Sequence, residues 1–374
     1  MKKILCFVFL ILFVFFDIGS AYVIWLKSFD NTIINILQIE SDNNMNIPIV
    51  SLIFDGTGEK LNNFWDEYDT FSGAMQSKIL HITLSPNHLT AEDIVNGKFD
   101  SGYIYIFEKI KKYNIKVMFR TMHEMNGWRY PRWSNPYRFK KARIHVYELS
   151  RSVWLDKNNI LFDRSVNHRD MRTPDKIPSQ KSPLYRCISS KKSKSYCPKL
   201  EDYYPWNGYV DLVWFTFYNR GKAGYDRQRL TAKQILNDDD FIIRISKLGK
   251  PLIVDEFATT AVYYDKDYDR KLSQSSYKND LSKKNKRLKE TAEYLATKKN
   301  IIWAIYFNVD YTNGLTNWMV GEADRAIINT QNKKIYDWRK NLYDNSIQAD
   351  NIYYMFETGT KLDSLKFIIQ SRNM

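Results

Sequence analysis

Eight short apolar runs, separated by stretches with helical periodicity, constrain the fold of this chain more than any other feature. The runs occupy residues 32–39, 49–54, 79–84, 116–121, 159–166, 209–217, 251–257 and 301–307. Amphipathic helical patterns cover 103–113, 136–155 and 283–298. Eight strands that alternate with helices predict an α/β fold with a single (β/α)8 barrel, a TIM barrel. A doubly wound sheet would instead require a glycine-rich phosphate loop after the first strand, which the sequence lacks.

The N-terminal segment is typical of an export signal. Two lysines precede an apolar stretch over 4–16, and small residues at 19–21 suit a cleavage site. The predicted organisation is a signal peptide at 1–21, a (β/α)8 domain at 22–343 and a tail packed on the barrel at 344–374. We therefore expect a secreted or periplasmic protein. An uncleaved anchor is the alternative, but the apolar stretch is shorter than the roughly 20 residues of a spanning helix.

Two cysteines remain once Cys6 leaves with the signal. Cys187 and Cys197 lie in the polar stretch 169–207, which is too long for a plain connection and is predicted to form a rim loop. In an exported protein we expect a disulfide between them, since two free thiols would be unusual there. No further cysteine or histidine has the spacing of a metal ligand, so we predict neither a metal nor another cofactor.

The formal net charge of +14 indicates a basic surface. Much of the excess lies in runs at 191–194 and 283–287, and such runs can recruit nucleic acid or an acidic polymer. A solvated basic surface explains them more simply, and no nucleic-acid motif accompanies them. We expect a monomer with no nucleic-acid partner and no membrane contact after signal cleavage.

Two glutamates end separate apolar runs. Glu124 lies in the run Arg-Thr-Met-His-Glu-Met-Asn-Gly at 120–127, and Glu256 ends the run at 251–257. Glu124 follows predicted strand four and Glu256 ends predicted strand seven, so in a barrel both would face one mouth. A lone glutamate of this kind is better interpreted as one member of a structural ion pair. Two of them, with polar neighbours and aromatic rings nearby, instead favour hydrolysis of a glycosidic bond in a polysaccharide or oligosaccharide.

The two carboxyl groups would have different roles in that reaction. Glu124 is the candidate acid/base and Glu256 the candidate nucleophile. The candidate substrate-binding residues are His123, Arg120, Asn126, Trp128, Trp133, Tyr218 and Trp303. Arg120 and Tyr218 are also candidate donors to the nucleophile. For each aromatic residue, ordinary packing is an equally good interpretation.

Histidine and aspartate neighbours have other interpretations. His123 and Glu124 do not form a zinc motif, because residue 127 is glycine where HExxH requires histidine. Asp255 precedes Glu256, and strand alternation is expected to turn it toward the helices. His88 and His168 could line the mouth or be structural.

These residues resemble glycoside hydrolase family 26, whose members include endo-β-1,4-mannanases. The motif Arg-x-x-His-Glu-Met-Asn-Gly is matched at 120–127, the strand-six tyrosine pattern at 211–218 and the nucleophile strand at 250–257. The resemblance implies a (β/α)8 barrel with the acid/base, Glu124, at strand four and the nucleophile, Glu256, at strand seven. It implies retaining cleavage of a β-linked polysaccharide, with endo-β-1,4-mannan as the leading substrate.

Other substrates and one other class of function stay open. Mixed-linkage β-glucan and β-1,3-xylan are alternatives, and an acidic glycan is another because Arg129 and Arg132 interrupt the aromatic residues. A non-catalytic glycan-binding barrel is the alternative of another class, although a binder needs neither glutamate.

Overall fold

A seven-stranded parallel sheet forms the centre of this computed structural model. The structure describes residues 32–43, 49–126, 133, 135–168, 198–219, 230–237, 240–259, 262–264, 277–279, 290–291, 294–295, 297–298 and 301–306. In chain order the strands are β1 (Ile49–Phe54), β2 (Ile79–Leu84), β3 (Val117–Thr121), β4 (Ile160–Asn167), β5 (Leu212–Asn219), β6 (Leu252–Thr259), β7 (Val262–Tyr264), β8 (Tyr277–Asn279) and β9 (Ile301–Tyr306).

The strand order is sequential. The sheet runs β1-β2-β3-β4-β5-β6-β9, and β7 and β8 form a separate antiparallel pair. The helices are α1 (Ile33–Asn43), α2 (Glu59–Met75), α3 (Ala91–Val95), α4 (Asp100–Tyr113), α5 (Pro136–Ser152), α6 (Ala232–Leu236) and α7 (Phe241–Ser246), with 3-10 turns at Leu200–Tyr203 and Asn207–Tyr209. Helices between successive parallel strands confirm the predicted α/β fold. In the described part of the chain this sheet has seven strands, not the predicted eight.

The first predicted strand, 32–39, is wrong, because these residues belong to helix α1. Its β-branched isoleucines suggested a strand, but the buried positions follow a helical period: Ile33 and Ile36 are buried and Leu37 is partly buried. The Glu67 carboxylate also caps this helix, accepting hydrogen bonds from the backbone N–H of Ile33 at 2.5 Å and of Ile34 at 3.4 Å.

The other seven predicted strands are confirmed to within a few residues. The match is good because strands of a parallel sheet covered on both faces are continuous apolar runs. In β2 and β3 every residue is buried. Helices α4 and α5 confirm two of the predicted helical stretches, and each packs an apolar face against the sheet. The third stretch, 283–298, lies mostly outside the described residues.

A close contact requires glycine near the start of α4. A Cβ built on Gly102 would lie 2.6 Å from the ring of Phe99, nearer than real Cβ atoms approach. The Phe99 ring in turn packs edge-on against Tyr103, at a centroid distance of 5.2 Å. Gly102 therefore lets the chain before α4 pack tightly against the helix.

Several predictions lie outside the described residues. They are the signal peptide at 1–21, the tail at 344–374, Trp128, Cys187 and Cys197. Within the described ranges, no helix is long and apolar enough to cross a bilayer.

Candidate active site

Glu124 lies in a turn directly after β3, at the carboxyl edge of the sheet. Two residues of this turn, Met122 (φ 52°) and Glu124 (φ 50°), have left-handed backbone conformations that are uncommon for residues other than glycine. The Glu124 N–H donates to the Ser165 carbonyl of β4 at 3.1 Å, which ties the turn to the neighbouring strand. Such strain persists only where the surrounding structure holds it, and it is frequent at functional sites.

The Glu124 carboxyl group is nearly buried and accepts hydrogen bonds from the next two strands. Its exposed fraction is 9%. Oε1 accepts from Asn167 Nδ2 at 2.9 Å and from Thr216 Oγ1 at 2.6 Å. Among the described residues no donor reaches Oε2. Three consecutive strands, β3, β4 and β5, therefore meet at this one carboxyl group.

Asn126 clamps the end of β4 with both ends of its side-chain amide. Its Nδ2 donates to the Asn167 carbonyl at 2.6 Å, and its Oδ1 accepts from the Asn167 N–H at 2.9 Å. Asn126 is only 4% exposed. These contacts hold the end of β4 through Asn126, which the sequence predicts to bind substrate.

His123 directly precedes Glu124 in the turn and lies close to Trp133. The His123 ring Nδ1 is 2.8 Å from Ser85 Oγ, after β2, and its ring centroid is 6.2 Å from that of Trp133. Trp133 is 1% exposed, and its indole N–H donates to the Leu89 carbonyl at 3.2 Å. Trp133 thus packs in the core beside His123, with little of its ring open to a ligand in this structure.

Arg120 is a buried residue of β3, four positions before Glu124. Its guanidinium is fully buried and donates to Thr83 Oγ1 at 2.6 Å and to Ser165 Oγ at 3.4 Å. Because Ser165 also accepts the Glu124 N–H, Arg120 and the Glu124 turn share a neighbour. The contacts of Arg120 therefore support the strand ends under the turn.

Ser51, His81 and Asp163 form a buried group of polar side chains near Arg120. Ser51 Oγ is 2.9 Å from His81 Nδ1, and His81 Nε2 is 3.4 Å from Asp163 Oδ2. Burial raises the pKa of the Asp163 carboxyl to about 7, while the guanidinium groups of Arg120 and Arg143 act to lower it. A serine, a histidine and an aspartate in this order resemble a nucleophilic triad, but all three are at most 4% exposed, so a substrate could not reach the serine.

The register of β5 and β6 brings the backbone of Glu256 next to Thr216. Phe215 pairs with Val254 and Thr216 pairs with Glu256, so the extra residue Asp255 makes a bulge in β6. Register partners on adjacent strands have Cα atoms about 4.8 Å apart. Strand β6, which carries Glu256, therefore lies next to Thr216, and the Thr216 hydroxyl donates to the Glu124 carboxyl group. The prediction that the Asp255 side chain turns toward the helices assumed a regular pleat. The bulge at Asp255 interrupts that pleat.

His168 contacts the backbone carbonyl of Thr216. The His168 N–H donates to the Thr216 carbonyl at 3.2 Å, and its ring Nδ1 is 3.1 Å from the same oxygen. His168 is 4% exposed, which agrees with the structural interpretation of this residue. His88 lies at an exposed position after β2.

Some predicted site residues are located by backbone alone. Tyr218 is in β5, two residues after Thr216, and pairs with Ala258. Trp303 is in β9 and pairs with Ile253. For these two residues and Glu256 the structure describes the strand and not the side chain. Among the described residues no cluster of three histidine, cysteine or acidic side chains could hold a metal ion.

Sequence reasoning missed the residues that hold Glu124. Thr216 is a polar residue in the strongly apolar strand LVWFTFYN, and Asn167 ends the buried strand ILFDRSVN, half of whose residues are polar. A hydroxyl or amide near the carboxyl end of a buried strand was the available signal. Their shared target, however, depends on the register between strands.

Comparison with known proteins matches this chain to solved structures. No family model and no curated protein matches the sequence. The family 26 glycoside hydrolase domain of an endo-β-mannanase/endo-β-glucanase from Prevotella bryantii is 10% identical, with 84% of this chain and 90% of that chain covered and a TM-score of 0.49. A β-mannanase from a symbiotic protist of the termite Reticulitermes speratus, solved with a gluco-manno-oligosaccharide, is 12% identical, with 78% and 82% covered and a TM-score of 0.46.

A mannanase from Bacillus subtilis is 15% identical, with 77% of this chain and 79% of that chain covered and a TM-score of 0.45. The chain resembles solved structures of glycoside hydrolase family 26.

Proposed function

We propose that this chain is a secreted glycoside hydrolase of the family 26 type, which cleaves a β-linked polysaccharide with retention of configuration. The setting of Glu124 carries this proposal. Its carboxyl group stands at the carboxyl edge of a parallel sheet, held by an amide and a hydroxyl. The next strand, β6, carries Glu256 in register with the residue that supplies that hydroxyl.

The contacts of Glu124 also count against the structural alternative. A glutamate kept for a buried ion pair would face an arginine or lysine. Among the described residues, the partners of the Glu124 carboxyl are instead two neutral donors, Asn167 and Thr216. Neutral donors orient a carboxyl group without tying it to a cation, which suits a group that must both give and take a proton.

The proposed reaction uses two carboxyl groups at one cleft. In the first step Glu124 protonates the glycosidic oxygen while the Glu256 carboxylate attacks the anomeric carbon, so a glycosyl-enzyme ester forms and the leaving sugar departs. In the second step Glu124 takes a proton from a water molecule, and that water displaces Glu256 from the same carbon. Two inversions leave the configuration unchanged.

The barrel and the export of the chain belong to the same proposal. We propose that the described sheet belongs to a (β/α)8 barrel, in which β3 leads to the acid/base and β6 carries the nucleophile. Residues 1–21 would be removed on export, and Cys187 and Cys197 would form a disulfide. The intact mass of the secreted protein, before and after reduction and thiol alkylation, tests the last two points.

β-1,4-Mannan is the proposed substrate. It rests on the motif at 120–127 and its resemblance to the family of endo-β-1,4-mannanases. Mixed-linkage β-glucan, β-1,3-xylan and an acidic glycan are the competing polymers.

The test is reducing-sugar release by the mature protein on β-mannan, galactomannan, mixed-linkage β-glucan, β-1,3-xylan and an acidic glycan. We expect release on one polymer class, and its loss in Glu124→Gln and Glu256→Ala. Glu108→Gln, at an exposed position of α4, is the matched control and should behave as the wild type. Azide separates the two roles, since it should yield a β-glycosyl azide with Glu124→Ala and an α-glycosyl azide with Glu256→Ala.

Two results would contradict the proposal. Full activity of Glu124→Gln or of Glu256→Ala would remove that residue from the reaction. Glycan binding without cleavage, unchanged in Glu124→Gln, would instead establish the non-catalytic barrel.

A further inference from the structure

The two donors to Glu124 act on the same oxygen. Asn167 Nδ2 and Thr216 Oγ1 both reach Oε1, at 2.9 and 2.6 Å. Thr216 is fully buried. A short hydrogen bond from a buried hydroxyl to a carboxylate is of the charge-assisted kind, which is stronger than a bond between neutral groups.

The backbones of both donor residues, Asn167 and Thr216, are held by hydrogen bonds. The main chain of Asn167 is bonded at its N–H and its carbonyl by the amide of Asn126. The carbonyl of Thr216 accepts the N–H of His168 and lies 3.1 Å from the ring Nδ1 of the same histidine. Because the backbones of the donors are anchored, the carboxyl group must adapt to the donors.

We propose that Thr216 and Asn167 are positioning residues that keep the transferable proton of Glu124 on Oε2. This inference rests on the proposed function of Glu124. Oε1 is occupied by two donors, so a proton on that oxygen would face two hydrogen atoms that already point at it. Oε2, which no donor among the described residues reaches, is the oxygen that gives and takes the proton.

The arrangement favours one of the two chemical steps. In the first step the proton leaves Oε2 for the glycosidic oxygen, the bond from the anomeric carbon to that oxygen breaks, and its electron pair stays on the oxygen. Glu256 supplies the electron pair of the new bond to carbon. Negative charge develops on Glu124, and the two donors stabilise it as it forms. In the second step Glu124 gains a proton, and the same donors oppose that gain.

Thr216→Val tests this difference, because valine keeps the shape of threonine and lacks its hydroxyl. Thr216→Ser is the matched control, since serine keeps the hydroxyl. We expect Thr216→Val to lower kcat/KM roughly 10- to 100-fold on an oligosaccharide, whose leaving group needs a proton. On a dinitrophenyl glycoside of the same sugar, whose leaving group needs none, kcat/KM should be unchanged. Thr216→Ser should resemble the wild type on both substrates.

Asn167→Ala provides a second variant that leaves the backbone clamp of Asn126 in place. It should show the same dependence on the leaving group. Because both donors serve one oxygen, the effects of Thr216→Val and Asn167→Ala should not be additive in the double variant.

A third readout does not depend on hydrolysis. The carbon-13 chemical shift of the Glu124 carboxyl, assigned by its disappearance in Glu124→Gln, should change in Thr216→Val and hardly change in Thr216→Ser. If the wild type cleaves no glycan, the proposed function fails, and this measurement still decides whether Thr216 holds the carboxyl group.

The inference is overturned by either of two results. One is an equal loss of kcat/KM on the oligosaccharide and on the dinitrophenyl glycoside, which would indicate general damage. The other is a Glu124 carboxyl shift that is the same in Thr216→Val and in the wild type.

Discussion

The clamp formed by Asn126 allows a quantitative prediction of stability. In Asn126→Ala the chain loses two hydrogen bonds to the main chain of Asn167, one of 2.6 Å and one of 2.9 Å. The amide is 4% exposed, so water does not readily replace it. Each bond lost from a buried polar group lowers the free energy of unfolding by about 1–3 kcal/mol, so we expect a total of about 2–6 kcal/mol for the two bonds.

Equilibrium unfolding in urea, followed by tryptophan fluorescence, measures this loss. Asn158→Ala is the matched control: Asn158 is exposed, and its Nδ2 donates to Asp156 Oδ2 at 3.0 Å. An exposed substitution of this kind should change the free energy of unfolding by less than about 0.5 kcal/mol. The slope of the transition should be the same in all three proteins, because the surface exposed on unfolding is the same.

A small effect would refute the reasoning. If Asn126→Ala is destabilised no more than Asn158→Ala, the Asn126 amide does not hold the end of β4. The anchored backbone assigned to Asn167 would then be wrong, and with it one of the two fixed donors to Glu124.

Three further predictions concern packing, charge and helix ends. Asp163 holds its proton up to about pH 7 in the folded chain and only to about pH 4 when unfolded. The stability of the wild type relative to Asp163→Asn should therefore fall as pH rises from about 4 to about 7 and be constant above, as urea unfolding at each pH would measure. Gly102→Ala should lower the melting temperature, with a loss of about 1–3 kcal/mol from the clash with Phe99. Gly73→Ala, in α2 with open space around its Cβ, should raise it slightly. Glu67→Ala should increase amide hydrogen exchange in α1 by removing its N-terminal cap, while exchange in the central strands stays unchanged.

The strands of this fold could be predicted because their burial leaves a simple pattern. β1 and β2 match the predicted bounds, since a strand covered on both faces is a continuous apolar run between polar turns. The same rule misled at 32–39, where Ile33 and Ile36 on the buried face of a helix, together with the exposed Ile34, gave a similar local composition. Over eight residues, periodicity separates a strand from a helix poorly.

The candidate site was predictable only in part. Glu124 was placed after a strand by its position at the end of an apolar run, and the structure has it there. Thr216 was not predicted, because its contact with Glu124 joins residues 92 positions apart. Such a contact follows from strand register and from the bulge at Asp255, neither of which is written in local composition.

The left-handed backbone at Glu124 has a consequence for laboratory evolution of this protein. At φ 50° an asparagine or glycine would fit with less strain than a glutamate, and a strained residue of this kind lowers stability by about 1–3 kcal/mol. A screen for heat resistance alone would therefore reward replacement of the residue proposed to do the chemistry. Any search for tougher variants has to select for glycan cleavage in the same round, or it will enrich well-folded, inactive proteins.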